Sequence, residues 1–401
     1  MSNKNNLTRT YAAGELIDVR IEKIVPRGLG IGFVEGLTVL TPLTAPGDLV
    51  TVEIVEVKKR LAFGEIRELK EAGPRRSAPP CVYFGECGGC DFQQMDYEAQ
   101  LAAKVGIIRD CFHRIGKIEL EKNIAVVPSS DPLNYRSRAR WHIDRGAKAF
   151  GYFRRDSHEV IDVRHCPILT PGLDKTLRDI RNSSNWDLMW NDREQIEASE
   201  GSDGRVAVRG VSETEPGSEV AFAHADIHYN FSAEVFFQAN HLIIPDLLEA
   251  ALGDVEGELA YDLYCGVGLF TLPLARRFKQ VTAVEGHPRA VEYAHRNIGQ
   301  ARAHNVRLIN DGVGAFLKRR PEARPDLVLL DPPRSGTEKV TIPAIAKLRP
   351  RQISYVSCDP SMLARDLRSL MDRGYKIDSI TALDLFPQTH HVETVARLSL
   401  S

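Results

Sequence analysis

Cys358 stands in Ser357-Cys-Asp-Pro360, directly after the apolar run Ile353-Ser-Tyr-Val-Ser357. A lone cysteine is ordinarily a buried, inert packing residue. A thiol at the end of a strand and ahead of a proline turn has less reason to be there for packing. A thiolate in that position can serve as a nucleophile if a cation or a helix end lowers its pKa. Asp331-Pro-Pro-Arg334 closes the run Asp326-Leu-Val-Leu-Leu330 in the same manner. Two successive prolines fix φ and stiffen the loop, which suits a carboxylate that must hold a ligand or a base in place.

A third strand-end motif completes the set. Leu259-Ala-Tyr-Asp-Leu-Tyr264 runs into Cys265-Gly-Val-Gly268. Gly266 and Gly268 allow a tight turn, so that a ligand can approach the backbone and the next helix N-terminus. Two glycines alone would also serve a plain structural turn. Asp262, four residues before Gly266, and Glu285, which closes Val281-Thr-Ala-Val284 23 residues after Asp262, reinforce the reading. A carboxylate at that second place can accept both ribose hydroxyls of a nucleoside. Gly268 is followed by Leu-Phe-Thr, so a third glycine and a phosphate-binding lysine are absent. The loop therefore suits a nucleoside without pyrophosphate, S-adenosylmethionine (SAM) ahead of NAD. Many amino-group methyltransferases place an aromatic residue after Asp-Pro-Pro to stack on a flipped base. Arg334 occupies that place here, which weakens the amino-group reading and directs attention to Cys358. Cys265 and Cys111 read as structural.

Cys81-x5-Cys87-x2-Cys90, with Gly88-Gly89 between the last two, gathers three thiols in one short loop. Cys166, in Arg164-His-Cys-Pro167, is the candidate fourth ligand. Four thiolates in a reducing compartment hold zinc or an iron–sulfur cluster. Zinc ribbons normally show two Cys-x2-Cys knuckles, so one knuckle with a remote Cys-Pro favours [4Fe–4S], with zinc left open. Asn134-Tyr-Arg-Ser-Arg-Ala-Arg-Trp141 and Gly151-Tyr-Phe-Arg-Arg155 interleave bases with aromatics. Arg136, Arg138 and Arg140 alternate along an expected strand and share a face. That face is either a solvated surface or, as we read it, an RNA contact through phosphates and stacked bases.

These motifs need a scaffold, and the remaining sequence supplies it. From about Phe231 short buried runs alternate with helical stretches, including one at Phe270-Thr-Leu-Pro-Leu-Ala-Arg276, which indicates an α/β fold with a mostly parallel sheet and ligands at the strand C-termini. Residues 1–70 show alternating β-branched strands with glycine turns, Leu16–Val25 and Val50–Val57 among them, as in a small OB-type barrel. Residues 71–80 form a Pro-rich linker, 81–230 a mixed Cys-bearing α+β segment, and 231–401 the α/β half. A polar stretch near 194–218 reads as a solvated loop. The 401 residues carry 52 Lys+Arg against 54 Asp+Glu, a net charge of −2, so nucleic-acid binding would need a local patch. Residues 134–155 hold seven basic side chains and one acid. Apolar residues make up 43%, which excludes a disordered or collagen-like chain, and no run approaches a membrane span. The opening residues show no secretory signal, and seven cysteines, an odd number, point to a reducing cytoplasm.

Taken together, Cys81-x5-Cys-x2-Cys90 with Cys166, Phe236-Phe-Gln-Ala-Asn240, Asp262-Leu-Tyr-Cys-Gly-Val-Gly268, Asp331-Pro-Pro-Arg334, Ser357-Cys-Asp-Pro360 and Phe386-Pro-Gln-Thr-His-His-Val-Glu-Thr-Val-Ala396 resemble the SAM-dependent RNA 5-methyluridine methyltransferases of the RumA/TrmA type. The pieces follow the family's order over residues 81–396, and the first 70 residues look like its TRAM barrel. The resemblance implies a class I, Rossmann-like methyltransferase domain, Cys358 as nucleophile and Glu393 as base. It implies a SAM and target-base site lined by Gln238, Tyr264, Gly266, Gly268, Glu285 and Asp331, with Asp311 toward the adenine. Two positions depart from the family pattern. Leu269 replaces a polar residue, and Asp359 replaces the usual Asn, where an anion would raise the Cys358 pKa. His390 and His391 either assist Glu393 or only shape the loop. The expected chemistry is thiolate addition to uracil C6, methyl transfer to C5 and removal of the C5 proton, on a base flipped out of its stack. The RNA is ribosomal by preference and transfer RNA as the alternative. A non-covalent amino-group methylase and an iron–sulfur RNA-binding protein are the competing readings.

Overall fold

The computed structural model describes residues 10–120, 123–183, 195–209, 219–319 and 324–401. The chain forms two compact units, Met1–Asp110 with Gln388–His390, and Cys111–Pro387 with His391–Ser401.

In the first unit, the strands Leu16–Val25, Leu29–Val34, Leu37–Thr41, Leu49–Lys58 and Leu61–Glu71 close into a barrel, adjacent in the order first, second, third, fifth, fourth. The period-two pattern places Ile17, Val19 and Ile21 inside against Val50, Val52 and Ile54. Gly32 permits a close strand approach, since a Cβ there would lie 2.4 Å from the Arg20 carbonyl oxygen. The helix Tyr97–Cys111 follows, all but its last residue in this unit. Gln388 belongs to this unit through a reciprocal pair: its N–H donates to Gln100 Oε1 and it accepts from Gln100 Nε2, both at 3.0 Å. The N–H groups of Asp91 and Phe92 also donate to the Gln388 carbonyl, at 2.9 and 3.0 Å.

The second unit holds a five-stranded antiparallel sheet, a hairpin and an eight-stranded sheet. The five strands lie in the order Val206–Arg209, Gln195–Glu200, Arg138–Asp144, Ala149–Phe153, Val160–Asp162. Gln195–Glu200 and Val206–Arg209 therefore correct the solvated-loop reading of 194–218: Ile196, Ala198 and Ala207 are buried, and a polar alternation hid a half-buried strand pair. Residues 210–218 lie outside the described residues. The eight-stranded sheet runs Val306–Asn310, Phe278–Glu285, Gly257–Leu263, Leu327–Leu330, Gln352–Ser357, Glu393–Leu400, Tyr375–Leu383, Ala125–Val127. The first five are parallel, and Glu393–Leu400 is antiparallel to both its neighbours. The helix expected over Phe270–Arg276 is short, Thr271–Ala275, because Pro273 and the turn into Phe278 leave no room for more. Among the described residues no helix is long and apolar enough to cross a membrane.

Candidate active site

The sheet topology brings the motifs together. Parallel strands put their C-termini on one edge, where Tyr264, Glu285, Asp311, Asp331 and Cys358 end or directly follow five of them. The antiparallel strand Glu393–Leu400 delivers its N-terminus to that same edge. Its register with Gln352–Ser357 pairs Ser357 with Thr394, which places Cys358 and Glu393 at adjoining strand ends. Gln238 reaches the second unit's core differently. It is buried in the segment between the strand Ile227–Ser232 and the turn at His241–Ile243, outside the sheet.

The rim of the edge is built by hydrogen bonds to carboxylates. Gly266 and Gly268 adopt left-handed φ of 56° and 99°, which needs glycine for conformational rather than spatial reasons. Glu285 accepts the Gly266 N–H at 2.9 Å through one oxygen and the His287 N–H at 2.7 Å through the other. This fixes its carboxylate beside the glycine turn, with lone pairs left for two hydroxyls. Asp311 accepts the Gly312 N–H at 2.8 Å and pairs with Arg319. Tyr264 holds φ at 64°, a strained value for a bulky residue, between the strand and the turn.

Inside the rim, four acidic groups are crowded. Asp262 is fully buried; its Oδ2 accepts from the Thr271 hydroxyl and, among the described residues, its Oδ1 finds no hydrogen-bond partner. Burial, with Glu285 nearby, pushes its pKa up to about 7. Asp331 is likewise pushed up to about 7, by burial of its carboxyl and then by Asp262. Glu393 is held well above the ordinary carboxylate range by burial first and by Asp331 second, with Arg334 opposing. Burial raises the Cys358 thiol to about 12, aided by Glu393, Asp331 and Asp359 and opposed by Arg334. The site thus disfavours negative charge until a cation enters, and the orphaned Asp262 oxygen calls for a donor. Arg334 is the residue the sequence reading undervalued. A cation directly after two prolines at a strand end is the signal that marks it.

Asp359 acts as the N-cap of the helix Pro360–Met371, accepting from Ser361 and Met362 N–H at 2.8 and 3.1 Å, a role Asp and Asn share. Leu269 is buried in the core. Cys265 is buried and its thiol pushed well up; Cys111 is buried with Sγ 3.5 Å from Ser361 Oγ. His390 lies in the first unit, its Nδ1 2.6 Å from Asp91 Oδ2, so it is held in loop structure.

The cysteine loop presents Cys81 and Cys87 half-buried and Cys90 buried in the first unit; Cys166 is buried in the second. Cys87 Sγ accepts the Gly89 N–H at 3.4 Å, the kind of contact that suits a thiolate ligand. Among the described residues, however, no three His, Cys, Asp or Glu side chains are placed to hold a metal ion. In the basic stretch the alternation holds, with Tyr135, Ser137, Ala139 and Trp141 buried. Tyr135, Trp141 and Phe150 are therefore core rings rather than stacking platforms, because the sheet needs them for packing. Arg138 donates to the Ala233 carbonyl at 3.1 Å and lies over the exposed Phe236 ring, and Arg140 pairs with Glu197 at 2.7 Å.

Residues 217–400 match the family model described as tRNA (Uracil-5-)-methyltransferase, and residues 12–66 match that of the TRAM domain. A Bdellovibrio bacteriovorus protein named an uncharacterized RNA methyltransferase is 32% identical over 99% of each chain. The 23S rRNA (uracil(1939)-C(5))-methyltransferase RlmD of Pectobacterium atrosepticum is 29% identical, over 98% of this chain and 96% of that one. The crystal structure of the Pyrococcus abyssi tRNA (uracil-54, C5)-methyltransferase in complex with S-adenosyl-L-homocysteine is similar at a TM-score of 0.74 and 26% identity, covering 95% of this chain and 100% of that one.

Proposed function

The chain belongs to the uracil-5 RNA methyltransferases, and on that premise we propose that it methylates C5 of a uridine through a covalent bond between Cys358 and C6. The single observation that carries the reading is the Ser357–Thr394 register, which sets a thiol and a carboxyl at neighbouring strand ends. SAM, when bound, supplies an electrophilic methyl group on a positively charged sulfur. Asp262, Asp331, Glu285 and the Gly266–Gly268 turn fit it: the unpartnered buried Asp262 oxygen suits a cationic donor, and Glu285 suits a ribose. Gln238, Tyr264 and Asp311 complete this lining in our reading.

Cys358 adds as the thiolate to C6, and the ring electrons move into the C5–C4–O4 enolate. C5 then takes the methyl group. Glu393 removes the C5 proton, the C5–C6 double bond re-forms, and the thiolate leaves. A carboxyl raised by burial is a better base near neutral pH than an ordinary one. Arg334 opposes the three acidic groups around Cys358 and so favours its thiolate.

We read the target as 23S rRNA, supported by the likeness to the Pectobacterium atrosepticum enzyme. The likeness to the Pyrococcus abyssi enzyme supports a transfer RNA target as the second reading. The working division is a barrel at 1–70, a central RNA-binding part at 81–230 and the methyltransferase at 231–401, in a cytoplasmic protein. The [4Fe–4S] assignment of Cys81, Cys87, Cys90 and Cys166 rests on spacing alone; anaerobically purified protein should then carry about four irons per chain. Stoichiometric zinc without acid-labile sulfide would replace it.

RNA carrying 5-fluorouridine tests the function. Fluorine cannot leave C5 as a cation, so the wild-type protein should form an RNA conjugate that survives denaturation. Turnover of the fluorinated RNA without any conjugate would refute the covalent route.

A further inference from the structure

The turn that carries Arg334 is tied, through the residue that follows it, to a buried carboxylate on the helix Pro360–Met371. The Gly336 N–H donates to the Pro333 carbonyl at 2.7 Å, so Arg334 and Ser335 form the exposed tip of a tight turn. Gly336 is in the left-handed region at φ 76°, and a Cβ there would come within 2.5 Å of Met362 Cε, which seats the turn on the helix Pro360–Met371. The next residue, Thr337, is buried and donates its hydroxyl to Asp366 Oδ2 at 2.8 Å. The same oxygen accepts from the Tyr355 hydroxyl at 2.8 Å, and Oδ1 accepts from Arg365 Nε at 2.8 Å. Tyr355 lies in the strand that ends at Ser357, and Asp366 lies in the helix that begins right after Cys358. One buried carboxylate therefore joins the Arg334 turn, the nucleophile's strand and the nucleophile's helix.

We infer that Asp366 is a positioning residue: by accepting from Thr337 and Tyr355 at once, it sets the Arg334 turn against the strand end that bears Cys358. The inference rests on the covalent reading above. The charged groups that act on Cys358 are Glu393 from the neighbouring strand, Asp331 and Arg334 from the turn's own loop, and Asp359 beside it. Arg334 is the one cation of the four, so a turn released from Asp366 leaves the three acidic groups in place and lets the cation drift. Thiolate formation then requires higher pH.

The test compares Thr337→Val, which keeps shape and loses the hydroxyl, with Thr337→Ser, which keeps the hydroxyl. Conjugate formation on 5-fluorouridine RNA is timed across pH 6–9, with SAM affinity and melting temperature measured alongside. Thr337→Val should form conjugate about threefold to tenfold more slowly at neutral pH, the loss expected for one hydrogen bond. Its rate profile should move to higher pH while SAM affinity stays put, and Thr337→Ser should behave as wild type. An unshifted profile in Thr337→Val, whether or not its melting temperature falls, would overturn the inference, and so would equal impairment in Thr337→Ser. Failure of the wild-type protein to form any conjugate would instead defeat the covalent reading, which keeps the two failures apart.

Discussion

Two sets of carboxylates share the strand-end edge and differ in how their charge is met. Glu285 and Asp311, at the rim, already hold donors: two backbone N–H groups for the first, one N–H and Arg319 for the second. Asp262, Asp331 and Glu393, further in, hold too few, and burial pushes them up instead. The rim carboxylates are fixed in place by those donors. The interior is held in electrostatic debt that a cationic donor and a passing proton can relieve. The two sets are thus set apart on one edge by the number of hydrogen-bond donors within reach of each carboxylate.

The largest losses are expected at the interior. Cys358→Ala should abolish both methylation and conjugate, a loss of roughly 10³-fold or more, while SAM and RNA still bind. Methylation retained by this variant would rule out the nucleophile.

Asp262 sharpens the contrast through stability. Its folded pKa of about 7 lies above the ordinary 3.8, so its stabilising state is the protonated one, present at low pH and lost as pH rises through about 7. Asp262→Asn keeps an acceptor for Thr271 and removes the buried charge. Urea unfolding should show it more stable than wild type by about 1–3 kcal/mol at pH 8, with the gain fading as pH falls from about 7 toward 4. SAM affinity should fall in the same variant. A gain that does not change with pH would show that Asp262 is not titrating.

At the rim the effects should be smaller and confined to affinity. Glu285→Ala should weaken SAM binding by about 1.5–3 kcal/mol in calorimetry, since two hydroxyls lose a charged acceptor. Asp311→Asn should cost less than about 1 kcal/mol, because that carboxylate is already shared with an exposed Arg319. The reverse order of these two would mean that the adenine side, not the ribose side, dominates recognition.

The sequence displayed the strand ends well, because parallel strands write themselves as apolar runs that stop at Asp331, Cys358 or Glu285. It displayed the meeting of Cys358 and Glu393 only through family resemblance. That meeting depends on Glu393–Leu400 running antiparallel, and an antiparallel partner on a buried sheet looks no different in residue types. The aromatic stretch misled in part, since Trp141 and Tyr135 follow the same alternation whether they stack on bases or fill a core. Polar Gln195–Glu200 hides a strand because only Ile196 and Ala198 among its buried residues are apolar, while the buried Ser199 reads as polar. Arg334 and Asp366 could not be weighed from spacing, because their significance lies in what Thr337 and Tyr355 bring to them in space.

The most direct measurement is the fate of ordinary RNA on Glu393→Gln. The thiolate should still add and the methyl should still transfer, but the C5 proton cannot leave. The variant should therefore accumulate a denaturant-stable conjugate that carries one methyl group from labelled SAM, seen as a shifted and labelled band. Released 5-methyluridine at the wild-type rate, or a conjugate that never carries the label, would contradict the assignment of Glu393 as the base that completes the reaction begun by Cys358.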